Sequence, residues 1–235
     1  MLKVAVETVQ RNIRPLLLFL AITTVFFTLR LVLEKNFESL TDEETQGFQA
    51  TAYIFGASII SVIVTAIAKS LAFSNFGREI EKPFWKIRTN KEAFIRFFPM
   101  WMFFGLASLL FFRGIAGLPS DSSDLFPLLM IWLVFNATLT PIGATIMFYE
   151  KCGSEEIKLA LSTFGHQLPR FFMICFFAFI LNLLLFSLLS SIEFYFHPIL
   201  IIIEGYFKCV IFVYSWFICR AHREILEQSD DDFDF

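Results

Sequence analysis

The chain reads as an all-α integral membrane protein: six transmembrane helices in three hairpins, each hairpin preceded by a cytoplasmic interfacial amphipathic helix. Three features carry that reading: surplus apolar bulk, uncharged stretches long enough to cross a bilayer, and cations gathered in alternate connections. Of 235 residues, 57% are hydrophobic, 18% aromatic and 17% charged, with 33 Phe. An average soluble chain is about a quarter charged, and a soluble fold of this length has no interior for so much apolar surface. Disorder is excluded by the same figures. The 19 Lys and Arg against 22 Asp and Glu leave a net charge of -3, without the basic excess that a nucleic-acid partner requires.

A hydrocarbon core of about 30 Å takes about 20 mostly apolar residues to cross. Residues 1–14 form an amphipathic helix in this reading. Spans follow at about 15–33, 45–68, 97–118, 125–149, 171–192 and 199–219, and an acidic cytoplasmic tail occupies 220–235. Thr45 to Ala68, Leu125 to Tyr149 and Phe171 to Ile192 carry no charge. Arg30 and Arg113 lie near the far ends of the first and third spans, where a long side chain snorkels to the interface. The N-terminus, the connections at 69–96 and 150–170 and the C-terminus carry 15 of the 19 Lys and Arg. Positive connections stay cytoplasmic, so both termini are expected there. No small-residue cleavage site follows Leu33, so the first span is expected to be retained. Cys152, Cys175 and Cys219 fall near the cytoplasmic side and Cys209 falls mid-membrane, which predicts free thiols.

The cytoplasmic segments before the odd-numbered spans share one apolar spacing: Leu2, Val6, Val9, Ile13; Ile87, Lys91, Phe94, Phe98; and Ile157, Leu161, Phe164, Leu168. Lys91 is the one break. Such helices lie in the headgroup layer with a basic face toward anionic lipid, making the bilayer the first expected partner. A juxtamembrane segment can look amphipathic by chance, but three matched registers favour an internal repeat. Span 2 concentrates small residues, with Ala57, Ser61 and Thr65 forming a stripe that suits the centre of a bundle. Pro141 is expected to kink span 4.

The most informative polar group is Glu204 with Lys208, at i, i+4 inside the sixth span. Each charge there costs roughly 2.5 to 3.5 kcal/mol on insertion scales. Asn136 and Asn182 are the candidates to complete an intramembrane polar cluster with them. One reading is a site for an ion, proton or substrate; the other is a self-neutralising pair that fixes packing. Arg78, Lys82, Lys86, Arg88, Lys91 and Arg96 form a basic surface that serves either anionic lipid or coupling to a soluble protein. Asp230, Asp231, Asp232, Phe233, Asp234 and Phe235 are either a solvated tail or a docking peptide for a cytoplasmic protein partner. Catalytic motifs fail. Gly56-Ala57-Ser58 is followed by Ile59 where a rhomboid-type serine motif closes with Gly, and Glu155-Glu156 lacks the Arg of CAAX-type proteases, with Ala160 in its place. His166, His197 and His222 are scattered, no metal or cofactor ligand set is legible, and no Walker A motif occurs.

The order of elements resembles a family. An amphipathic start, a first hairpin, a basic segment, a span ending in Pro141-Ile-Gly-Ala-Thr-Ile-Met-Phe-Tyr-Glu-Lys-Cys-Gly153, then Ile157 to Phe172 and a last pair of spans are similar to bacterial six-span inner-membrane proteins of the YciC-like group. They are similar also to the membrane domain joined to some glycerophosphodiester phosphodiesterases. The resemblance implies a bacterial inner-membrane protein without a known catalytic residue set. The expected function is therefore non-enzymatic, a scaffold or accessory subunit of a membrane complex and part of a homo- or hetero-oligomer. The alternative is the permease subunit of an ATP-driven exporter, its nucleotide-binding component supplied by another chain.

Topology is directly testable. Single cysteines at positions 42, 121 and 195 should react with an impermeant thiol reagent added outside intact cells, and cysteines at 86 to 91 should not. Labelling at 86 to 91 instead would invert the arrangement.

Overall fold

The computed structural model describes residues 1–38, 46–81, 87, 89–117, 125–149, 154–191 and 196–231. Among these residues the chain forms eight helices and no strand: α1 (Leu2–Arg11), α2 (Ile13–Glu38), α3 (Gln46–Ile80), α4 (Asn90–Ala116), α5 (Leu125–Phe148), α6 (Ser154–His166), α7 (Leu168–Ser191) and α8 (His197–Asp231). Six of them, α2, α3, α4, α5, α7 and α8, are long and apolar enough to cross a membrane. The chain is thus an all-α protein of multi-pass membrane type.

Local sequence sets the helix ends. Pro15, Pro127, Pro169 and Pro198 each fall in the first three residues of α2, α5, α7 or α8, where a backbone N–H has no helical acceptor and its loss costs nothing. Asn12 separates α1 from α2: its backbone N–H and its Nδ2 both donate to the Thr8 carbonyl, at 3.0 and 2.9 Å. Thr89 caps α4, its Oγ1 accepting the Glu92 N–H at 3.2 Å. That cap divides the spacing expected of a third interfacial helix. Ile87 lies outside the helix and is buried, while Lys91, Phe94 and Phe98 continue without a break into the span. Among the described residues, therefore, no separate amphipathic helix precedes the third span. Likewise α3 does not stop at Ala68 but runs to Ile80, carrying Lys69 inside it.

The spans pack in a ring, α2 on α3, α3 on α4, α4 on α5, α5 on α7 and α7 on α8, closed by α8 against α2. The three hairpins are therefore not separate units. The most enclosed helix is α8, half of whose most apolar stretch is buried, against 33% for α3. The small-residue span expected at the centre instead packs chiefly between α2 and α4. Aromatic rings fill one end of the ring. Phe73 stacks on Phe212 at 4.2 Å and on Phe19 at 5.4 Å and meets Trp101 edge-on at 5.6 Å, while Trp216 touches Phe212 and Phe148. Such pairs add to the packing of their area. At that same end the carboxylate of Glu81, 5% exposed, accepts Trp216 Nε1 at 3.1 Å and Arg223 Nη2 at 3.3 Å, joining α3 to α8.

Two short helices cover this end. The seat of α1 is Ala5 and Val9 against α8, with Leu2, Val4 and Ile13 exposed. The seat of α6 is Ala160 and Thr163, with Leu159 and Leu161 exposed. Tyr149 shares a 2.6 Å hydrogen bond with the Thr163 hydroxyl. Burial pushes the phenol above its ordinary range, which keeps it a neutral hydroxyl at that contact. Cys175, Cys209 and Cys219 are free thiols; Cys152 lies outside the described residues.

Gly143 of α5 lets two helices approach. A Cβ there would run into the far edge of the Trp101 ring, which is rigid and 2% exposed. Gly143→Ala is expected to cost about 1–3 kcal/mol and to lower the thermal midpoint of the detergent-purified protein, whereas Gly114→Ala, with open space around it, should leave the midpoint unchanged.

Candidate functional site

Between the six spans lies a cavity of about 700 Å³. Every span contributes to its wall: Arg30 from α2, Ser58, Ser61 and Lys69 from α3, Trp101 and Arg113 from α4, Asn136 from α5, Asn182 from α7, and Glu204 and Lys208 from α8. Helix rise places the polar groups in depth. Lys69 and Trp101 each lie about 16 Å along their helices from Ile80 and Asn90, and Asn136 and Lys208 about 16 Å from Leu125 and His197. These ends belong to opposite faces of the bundle, so the four residues share its middle level. Phe19 and Trp101 form the cavity's floor and belong to the aromatic packing that fills the end beyond. Arg30 and Arg113 stand toward the other end.

The predicted polar residues meet the same cavity in different ways. Lys208 Nζ donates to Glu204 Oε1, so the pair neutralises itself along one helix face, as i, i+4 spacing with Glu first favours. Asn136 is engaged elsewhere. Its Oδ1 accepts the Ser108 hydroxyl at 2.7 Å, its Nδ2 donates to the Trp132 carbonyl at 2.9 Å, and Trp132 Nε1 donates to the Ser108 carbonyl at 3.1 Å. This network fastens α4 to α5. Asn182 lines the cavity without a hydrogen bond to the pair or to Asn136 among the described residues.

Two arginines depart from the expectation of snorkelling. Arg30 Nη1 donates to Ser61 Oγ at 2.8 Å and Arg113 Nη2 to Ser58 Oγ at 3.0 Å. Both turn inward onto α3, where small side chains leave room for a guanidinium and offer hydroxyls that accept from it. Ser58, the residue of the failed serine motif, is thus an arginine acceptor. Lys69 was not legible as a site residue, since it reads as the first cation of a cytoplasmic connection. In the fold its Nζ lies over the Trp101 ring, 4.6 Å from the centroid. The signal for it is periodic: Ser58, Ser61, Thr65 and Lys69 recur at three- and four-residue steps on one face of α3.

The other predicted residues lie apart from the cavity. Arg78 Nη2 donates to Asn90 Oδ1 at 3.3 Å, Arg96 pairs with Glu92 at 2.9 Å, and Lys91 is exposed. Lys82, Lys86 and Arg88 lie outside the described residues, as do Asp232, Phe233, Asp234 and Phe235. Asp230 and Asp231 belong to the last turn of α8, and their side chains are outside the described set. No group of His, Cys, Asp and Glu able to hold a metal occurs among the described residues. No protein-family model matches the chain, and neither a curated protein nor a solved structure is similar to it.

The pair itself makes a prediction. Glu204→Gln or Lys208→Met alone leaves one charge in the cavity wall without its i, i+4 partner, a cost on the order of 1–2 kcal/mol. The double variant strands none. Each single variant should show a lower thermal midpoint than the double; equal loss in all three would show that the pair is not self-neutralising.

Proposed function

We propose that this chain is the membrane-spanning subunit of a transport system, lodged in a bacterial inner membrane with both termini cytoplasmic, and that its substrate occupies the cavity between the six spans. The observation that carries the reading is the polar level at mid-depth. Arg30, Arg113 and Asn136 serve the shape of the bundle as bridges between helices, but a bundle that only holds its shape gains nothing from opening Lys69 and Asn182 onto a 700 Å³ space, because intramembrane charge is costly and tends to mark a pathway or a binding site. Ligand sites between helices of a bundle follow the same pattern of apolar wall and few convergent polar groups. The aromatic end, beside the basic connections, is the cytoplasmic one under the positive-inside rule, so the cavity faces away from the cytoplasm. The energy source, if ATP, lies outside these 235 residues, which carry no Walker A motif.

The scaffold reading keeps one observation in its favour: α1 and α6 sit on small residues and turn leucine and valine outward, as helices bedded in the headgroup layer do. It leaves the cavity without a role.

Cavity access separates the two. In a background with the four cysteines replaced by alanine, Asn182→Cys should react in whole cells with an impermeant anionic methanethiosulfonate. Ala178→Cys, one helical turn away and 4% exposed, should stay unlabelled. Equal protection of both would remove the transport reading.

A further inference from the structure

We infer that the ligand of this cavity is anionic and presents a phosphate-type group at mid-depth, where Lys69, Asn182 and Lys208 face the same space; the inference rests on the cavity being a binding site. Lys69 is the key residue. Among the described residues its ammonium makes no direct ion pair: it lies over the Trp101 ring face, while Lys208 and Glu204 act on it only from beyond ion-pair distance. The only carboxylate among the described lining residues, that of Glu204, is engaged by Lys208. A cationic substrate would meet two ammonium groups there and a single carboxylate already engaged by one of them. An anion would give Lys69 the counter-charge it lacks.

The donor geometry narrows the class. Lys69 comes from α3, Asn182 from α7 and Lys208 from α8, so donors reach the site from three helices in different directions. A tetrahedral oxyanion with several acceptor oxygens answers such a set better than a single-point acceptor does. Asn182 offers its amide without a hydrogen bond among the described residues. Toward the mouth, Arg30 and Arg113 add positive potential in a low-dielectric cleft, which focuses the field on an approaching anion. The remaining wall is apolar, with Phe27, Phe104 and Phe112, and the volume exceeds what a bare oxyanion needs. The phosphate group can belong to a lipid that enters from the bilayer or to a free anion from the aqueous side.

The test uses the full chain in detergent. Native mass spectrometry with equal amounts of phosphatidylglycerol and phosphatidylcholine of the same acyl chains reads the lipid source, and calorimetry with inorganic phosphate reads the free one. Lys69→Met and Asn182→Leu are compared with Arg96→Gln, a change outside the cavity, and with Lys69→Arg, which keeps the charge. Phosphatidylglycerol retained at least tenfold over phosphatidylcholine, reduced about tenfold by Lys69→Met or Asn182→Leu and restored by Lys69→Arg, supports a lipid phosphate. Phosphate binding with the same variant pattern and no lipid preference supports a free oxyanion. Neither preference, or one that only Arg96→Gln abolishes, overturns the inference. Labelling of Asn182→Cys in cells with no anion preference would end the ligand class and leave the transport reading standing; absent labelling would end both.

Discussion

Lipid tails solvate a leucine side chain as well as another leucine does, so apolar helices gain little from meeting inside a bilayer. The bundle therefore depends on contacts that hydrocarbon cannot offer. Arg30 and Arg113 bridge from neighbouring helices to Ser61 and Ser58. Asn136, Ser108 and Trp132 fasten α4 to α5, and Glu81 holds Trp216 and Arg223. Close approach does the rest: Gly143 admits the Trp101 ring, and Gly205 lies against Leu20, where a Cβ would come within 2.7 Å of Leu20 Cδ2. Each of these joins two helices that apolar side chains alone would leave sliding.

The same contacts give the molecule its polarity. At one end, rings from α2, α3, α4, α5 and α8 pack on one another, and the buried carboxylate of Glu81 ties that packing to Arg223 of α8. At the other, guanidinium groups draw α2 and α4 onto α3, and Phe27, Phe112 and Trp132 line the wall rather than filling the space between the helices. A cavity results because the two ends are held by different chemistry. Its floor is the upper surface of the ring stack, so Phe19 and Trp101 belong to both.

Composition and hydropathy made the all-helical membrane architecture legible, because an uncharged run of more than twenty residues has few other uses. The Glu204 and Lys208 pair was legible too, since its spacing on one helix face is a local property. What escaped the sequence depends on the partner helix. Arg30 reads as an interfacial cation until Ser61 is opposite it, and Lys69 reads as loop charge until α3 is seen to continue past Ala68. The apolar spacing before the third span matched the other two segments in letters, yet Thr89 starts a helix in the middle of it. In α6 the buried face is the small one, Ala160 with Thr163, which a count of large apolar residues passes over, and in α1 the counted Val9 shares its seat with the uncounted Ala5.

The position of α1 bears on how the chain is made. Among the helices described, α1 comes first in chain order yet is seated on α8, which comes last, and α2 likewise waits for α8 at Gly205. Until α8 has been made, the side of α1 that carries Ala5 and Val9 lacks its main seat. Ring closure thus waits for α8, and a chain cut before that helix lacks its keystone.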